Sequence, residues 1–507
     1  MPKMNSGASF LKVHPCWVDA LVSAGVAILI ALFCSSSLSP LFQGDCPSGM
    51  NMDSDLFRYS AWLWIHGGTP YIDFYDHKGL YHLAIDALGL SLGGRYGIWA
   101  LEILFYWADL LILIPTVRYL FGKALRYRVA FYLLFAAMAA FTLEGNMEGE
   151  WVLPFVSLFV AFYIRGIKEQ SDRAFFWGSF FMGLDVGLAL NSRPVDGIYG
   201  GVGAIFCLIY CWRHHRWLSL FYNALFAILG CGLPFLVIYP LAEAQGFLSL
   251  MLKAVFVQNV SYLGQSFIGV TPLVWGYKAM AMGAFALHLL FYFLERRYRP
   301  EEKELAFFFV FVGCAASLFF VFILGFGHYF QSGFGFLALA LLYGFDSFPL
   351  PRKMLSLRFA GWGSGVFALA MIATFLIGYW NTSEGIQDYS YHHSQELEET
   401  VKAMKAQGAG TTGDVYALDA DCAVYLEGEF VVNERYMAFQ RNWIRDNQDV
   451  LPEIRSYLAG VGDQVQPVWL IVSKTSESFE KVEDIVTKDY ALSDLQNSLF
   501  TIYTLKA

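Results

Sequence analysis

The sequence predicts a polytopic α-helical membrane protein of about eleven transmembrane helices, N-terminus inside and C-terminus outside, with a small C-terminal α/β domain. Three observations predict this. Of 507 residues, 57% are hydrophobic and only 15% charged, against about 25% charged in soluble domains. Apolar stretches near the bilayer-crossing length of about 20 residues recur up to residue 380 and then stop. The loops between them alternate between basic and non-basic.

The candidate spans lie near 17–38, 97–117, 129–143, 151–164, 174–191, 197–212, 218–241, 271–294, 305–326, 329–345 and 360–380. The first is longer than the apolar core of a cleavable signal, and no clear small-residue cleavage site follows it. Basic loops carry Arg118, Lys123, Arg126 and Arg128; Arg165, Lys168 and Arg173; Arg213 and Arg216; Arg296, Arg297, Arg299 and Lys303; Arg352, Lys353 and Arg358. The loops between them carry only Arg58, Lys78, Arg95, Arg193 and Lys253. Basic loops stay cytoplasmic, so the second set of loops and the tail are expected outside.

The net charge of −9 says little about nucleic acid, because much of the acid sits in the tail, and no nucleic-acid partner is expected. The eight Cys are scattered, without a CxxC pair. Cys46 and Cys422 fall on the outer side, as a disulfide or as free thiols; the others read as weakly hydrophobic packing residues.

Composition divides the chain into 1–380 and 381–507. In the tail, Glu396–Gln407 reads as an amphipathic helix ended by Gly408. Short β-branched and aromatic runs at Val415–Leu418, Phe430–Val432, Val468–Val472 and Phe500–Leu505 read as strands. Helical patterns near 446–459 and 478–488 lie between the later ones. Tyr436, Phe439 and Trp443 could stack on a sugar, although such a stripe is more often core.

The outer loops hold the chemistry. The first, about 39–95, contains DSDLFRYSAWLWIHGGTPYIDFYDHKG from Asp53 to Gly79. Ionisable groups beside a span are costly to place and point by default to function. Trp62–Ile65 and Tyr81–Leu92 fit helices in the membrane interface. The second loop runs from Thr142 to Glu150, and the third, about 242–270, holds Phe256, Asn259 and Tyr262. The outer constellation is Asp53, Asp55, Asp73, Asp76, His77, Lys78, Glu144, Glu148, Glu150, Arg193, Asn259 and His328. A carboxylate can take a proton from an acceptor hydroxyl, and Lys or Arg can stabilise charge on a leaving phosphate. The competing reading is solvated loop charge. It is weaker for Arg193, which precedes Pro194, and for His328, which sits between apolar runs, although a lone His there more often packs or caps a helix.

Asp53, Ser54, Phe57, Tyr59, Gly68, Pro70, Tyr71, Asp73, Tyr75, Asp76, His77, Lys78 and Gly79 resemble the first-loop signature of the bacterial polyprenol-phosphate-dependent glycosyltransferases of the C-type superfamily. That family includes relatives of the protein O-mannosyltransferases and the aminoarabinose transferases. Glu144–Glu150, Arg193-Pro194, Phe256…Asn259…Tyr262 and Gly327-His328-Tyr329 follow in the family's order, and the resemblance spans roughly residues 17–345. Leu80 replaces a Pro common after Lys-Gly, and Val195-Asp196 replaces an Asn common after Arg-Pro. The resemblance implies inverting transfer of a sugar from a polyprenyl-phosphate donor to a cell-envelope acceptor hydroxyl, in the plasma membrane at its outer face. It implies Asp53 as the general base, with Asp55 second, and Lys78 on the lipid phosphate, with Arg193 and His328 as further candidates. Asp73, Asp76, His77, Glu148, Glu150, Asn259 and Tyr262 would position substrate. Some members of the family use a divalent cation and others do not; acids alone do not decide. No other cofactor is implied.

Two other classes compete. A transporter of lipid-linked sugar would carry ionisable groups in mid-membrane and broken helices in matched halves. Asp109 and Asp185 lie within spans, but the halves do not pair. A non-catalytic envelope-assembly subunit would tolerate neutral replacements at Asp53 and Lys78.

Overall fold

In a computed structural model, residues 17–40, 52–140, 145–258, 272–323, 327–346, 365–366, 369, 395–437 and 447–506 are described. The first ten predicted spans are helical in the described residues: α1 (Trp17–Cys34), α4 (Arg95–Phe121), α5 (Leu125–Ala140), α6 (Leu153–Glu169), α7 (Asp172–Leu190), α8 (Ile198–Arg213), α9 (Trp217–Ala244), α11 (Pro272–Tyr298), α12 (Lys303–Ile323) and α13 (Phe334–Asp346). The eleventh lies almost wholly outside them. Among the described residues, seven helices are long and apolar enough to cross a membrane. The first loop supplies α2 (Met52–Ile65) and α3 (Leu80–Gly93), so Trp62–Ile65 and Tyr81–Leu92 are helical as expected, and the third loop begins with α10 (Leu248–Leu252).

Helix contacts use small residues, as they must where lipid is as apolar as the side chains and close backbone approach supplies the attraction. Along the α7–α9 seam, a Cβ on Gly183 would stand 2.0 Å from the Ala227 carbonyl oxygen, and one on Gly230 2.0 Å from that of Phe180.

Ion pairs mark one end of the bundle. Arg118 and Arg128 both reach Asp19. Arg165 pairs with Glu169 at 2.9 Å, Lys168 with Glu302 at 3.0 Å and Arg213 with Glu304 at 3.3 Å. Arg299 reaches Asp346. These pairs tie together the start of α1 and α12 and the ends of α4, α6, α8, α11 and α13, and they gather the basic loops at one face. The first and second loops meet at the other end.

At that second end sits the C-terminal α/β region. A helix over 395–406 precedes a four-stranded sheet of β1 (Val415–Leu418), β2 (Trp469–Ser473), β3 (Tyr490–Leu492) and β4 (Phe500–Leu505), in the order β1-β2-β4-β3. β1 runs parallel to β2, with Val415 opposite Trp469, and β4 runs antiparallel to both β2 and β3. The strand expected at Phe430–Val432 is only a single bridge, Val431 to Thr412. Its ladder groups go elsewhere. The Tyr59 hydroxyl donates to the Phe430 carbonyl at 2.6 Å, and the Val432 N–H donates to that hydroxyl at 3.1 Å. The first loop has taken the hydrogen bonds a neighbouring strand would have used. β3, not anticipated, is only three residues long. Cys422 is a buried free thiol; Cys46, Phe439 and Trp443 lie outside the described residues.

Candidate active site

The first-loop motif folds into α2 and a turn-containing connection, residues 66–79, that leads into α3. After α2, the Gly68 N–H donates to the Leu63 carbonyl at 2.9 Å, closing the helix end. Tyr71 adopts a left-handed φ of 64°, uncommon for a bulky residue. Its N–H donates to the Phe74 carbonyl at 2.7 Å, and its hydroxyl donates to the Lys78 carbonyl at 2.6 Å. The turn therefore fixes the backbone of the lysine. Asp73, exposed, accepts the Thr69 N–H at 2.6 Å and serves the turn.

Gly79 locks this loop to the bundle. Its N–H donates to the Ser192 carbonyl at 2.7 Å, and the Tyr81 N–H to that of Asn191 at 2.8 Å. A Cβ on Gly79 would lie 2.1 Å from the Asn191 carbonyl carbon. Only glycine permits that approach, which sets Lys78 beside Arg193.

Three loops then converge on one cluster. Lys78 Nζ lies 3.6 Å from Glu148 Oε1 and 3.9 Å from Asp76 Oδ1, and 4.6 Å from the centre of the Phe57 ring. Arg193 reaches Glu148 at 3.2 Å and grips Asp196 through Nε and Nη2 at 2.9 and 2.8 Å. The Arg193 guanidinium also lies 4.7 Å from the centre of the Tyr329 ring. Burial works against charge on Lys78, but Asp76, Glu148 and Asp53 together hold its ammonium above the ordinary range. Burial likewise opposes ionisation of Glu148, and Arg193, Lys78, His82 and His328 overcome it, leaving the carboxyl well below the usual range. Burial and then Lys78 lower His77. The result is a charged, partly dehydrated cradle in which electrostatic forces act more strongly than in water.

Asp53 stands half-buried in the first turn of α2. Its charge acts on Lys78, His77 and Asp421, which puts it within electrostatic reach of the cradle. Asp55 is different. It is fully buried, 2.9 Å from Arg58 and beside Asp421 of the C-terminal region, which leaves an incoming acceptor no access. Glu150 turns into the bundle, accepting from Tyr106 at 2.8 Å and Gln331 at 3.1 Å. His328 is buried near Glu148 and Asp196. Asn259, Tyr262 and Glu144 lie outside the described residues.

A narrow cleft of about 20 Å³ adjoins the cradle, lined by Phe57, Tyr71, Phe74, Asp76, Lys78 and His82 among others. Among the described residues, no group of three or more His, Cys, Asp or Glu converges as a metal site would.

Several supporting residues were not anticipated. Asn146, fully buried at a φ of 56°, donates to Asp86 at 2.9 Å and to Ser54 at 3.2 Å. It joins the second loop to both helices of the first. His82 lies 3.5 Å from Asp86, an i,i+4 pairing that helical spacing could have revealed. Burial disfavours its charge, but Asp86 outweighs this and raises it.

No family model matches the chain, and no curated protein matches its sequence. Solved structures do match. ArnT from Cupriavidus metallidurans bound to undecaprenyl phosphate superposes with a TM-score of 0.55 at 15% identity, over 98% of this chain and 99% of that one. The apo state of the same protein gives 0.54 at 14% identity, over 96% and 97%. The chain has the ArnT fold. The polytopic helical membrane architecture and the small C-terminal α/β region expected from the sequence are therefore borne out. With the apolar helices, the fold makes this a multi-pass membrane protein.

Proposed function

We propose that the protein is an inverting glycosyltransferase that moves a sugar from a polyprenyl-phosphate donor to an acceptor hydroxyl at the outer face of the plasma membrane. One observation carries this reading: the charge of Asp53 acts on Lys78, which gathers with Glu148 and Arg193, on a fold shared with a protein solved with undecaprenyl phosphate. Asp53 acts as general base. It takes the proton of the acceptor hydroxyl as that oxygen attacks the anomeric carbon. The bond from that carbon to the phosphate oxygen breaks, the electron pair leaves with polyprenyl phosphate, and the configuration inverts.

Lys78 meets the departing phosphate. Its 3.6 and 3.9 Å pairings exceed hydrogen-bond length, so it can turn to an anion without breaking a close bond. Arg193 is anchored by Asp196 and contributes mainly field, as does His328. Glu148 holds the two cations together, while Asp76 and His77 shape the entrance. The phosphate is a good leaving group and requires no strong acid. The cluster lies at the end of the bundle opposite the basic loops, which the positive-inside rule assigns to the cytoplasm; this supports an outer-face site. The donor-side partners are lipid-linked sugar and the bilayer itself, and the acceptor is an envelope glycan, lipid or protein.

Purified protein given labelled polyprenyl-phosphate sugar and envelope acceptor should release polyprenyl phosphate. Asp53→Asn should reduce turnover by about 10³-fold. Undiminished turnover in that variant would remove Asp53 as the base.

A further inference from the structure

The Asp55–Arg58–Asp421 cluster has no part in the mechanism above. Asp55 is 0%, Arg58 5% and Asp421 6% exposed. Arg58 lies 2.9 Å from Asp55 and its charge also acts on Asp421, so one of the two carboxyls keeps a proton if the buried group is to stay neutral. They come from two parts of the chain, α2 and the turn before the helix Ala423–Gly428. Asp421 is held by the Ala423 N–H at 2.9 Å. Around the pair, Tyr59 stacks on Tyr425 at 4.8 Å and bonds Phe430 and Val432, and the Tyr75 N–H donates to the Arg435 carbonyl at 2.9 Å. Arg435, paired with Glu453, and the buried carboxyl of Glu434, raised to about 7 by burial, stand next to that Tyr75 bond, so Asp421→Asn is what separates the carboxyl pair from them. The other charged and titratable groups acting on the pair are Asp53 from α2 and Arg95 from the start of α4; Cys422 lies beside it, with its thiol raised by burial.

We propose that Asp421 is a positioning residue for glycosyl transfer: with Asp55 it shares a proton that clamps the C-terminal region onto α2 and so fixes Asp53 two residues away. This rests on the transferase reading only for its effect on turnover. Burial and then Asp421 push Asp55 well above the usual carboxylate range despite Arg58, and burial pushes Asp421 up to about 6. Both shifts are upward, so the docked state binds protons more tightly than the separated one. Docking is strongest below the ordinary carboxylate range of about 4, weakens as pH rises through about 6, and goes on weakening until the last proton leaves.

Amide hydrogen exchange of the full-length protein in detergent, followed from pH 5 to 9 after correction for intrinsic exchange, tests this. Protection across residues 52–65 should fall as pH rises, while protection of β1 and β2 stays level. Asp421→Asn, an amide that cannot ionise, should flatten the profile. Asp421→Ala should lower protection of 52–65 at every pH and reduce kcat about tenfold or more with KM for the donor unchanged. A flat wild-type profile, or an Asp421→Asn profile that follows wild type, overturns the clamp. Absence of transfer by wild type would sink the transferase reading while leaving the exchange result to judge the clamp.

Discussion

The two ends of the bundle are built from the same residue types and use them differently. At the basic end, carboxylates meet guanidinium or ammonium groups at close range, and most of the side chains are partly exposed, as with Arg165 at 24% and Glu169 at 38%, Asp19 between Arg118 and Arg128 being the buried exception. Such pairs contribute about 0–1 kcal/mol each; they mark the end of the bundle more than they hold it. At the other end, Glu148 at 1% and Arg193 at 9% exposure sit in a shared cluster with Lys78 held at longer range. Burying those charges costs several kcal/mol per ion before pairing repays it. A fold that needed only stability would pack apolar side chains there. The difference separates charge that orients a helix from charge kept for a reaction.

Lys78→Met gives the largest expected effect in this comparison. It keeps the aliphatic stem against Phe57 and leaves Glu148 paired with Arg193. If the cradle serves the leaving phosphate, kcat should drop by about 10²–10³-fold, measured as release of labelled polyprenyl phosphate, with helical content unchanged by circular dichroism. If turnover persists and only thermal stability changes, the two ends are alike and the comparison fails.

Gly79→Ala should follow. The added methyl would have to fit 2.1 Å from the Asn191 carbonyl carbon and 2.7 Å from the Ser192 nitrogen, and both are backbone atoms that cannot swing aside. The Gly79–Ser192 and Tyr81–Asn191 bonds should break. We expect a loss of about 2–4 kcal/mol, seen as a lower midpoint in thermal unfolding and as weaker protection at the start of α3. An unchanged midpoint would mean that the first loop is not pinned to the end of α7.

Much of this was legible in the sequence, and the physics explains which parts. Spans are readable because lipid demands long apolar runs whose backbone groups are satisfied internally. The Asp53–Gly79 segment stood out because its charge density contrasts with everything near it. Lys78, Glu148, Arg193 and His328 do come together, though they are spread over 250 residues, because each sits at a helix end on the same side. What the sequence concealed depends on tertiary docking. Asp55 and Asp53 are indistinguishable by spacing, and only Asp421 and Arg58 reveal that one is buried. Nothing local to Asp421 marks it as a partner of α2. The Phe430–Val432 run has strand composition, but Tyr59 takes the hydrogen bonds that would have made it one.

The smallest effect belongs to Arg165→Gln at the basic end. Arg165 Nε lies 2.9 and 3.0 Å from the two Glu169 carboxylate oxygens, one turn along α6. The pair is solvent-accessible, so water replaces most of what the bond supplies, and fixing two long side chains offsets part of the remainder. The substitution should change stability by no more than about 0.5 kcal/mol and leave turnover as it is, and the little it does cost should vanish in high salt. A loss comparable to that of Gly79→Ala, persisting at 1 M salt, would mean that this end carries structural charge of its own. The contrast with the Lys78 cradle would then be one of degree.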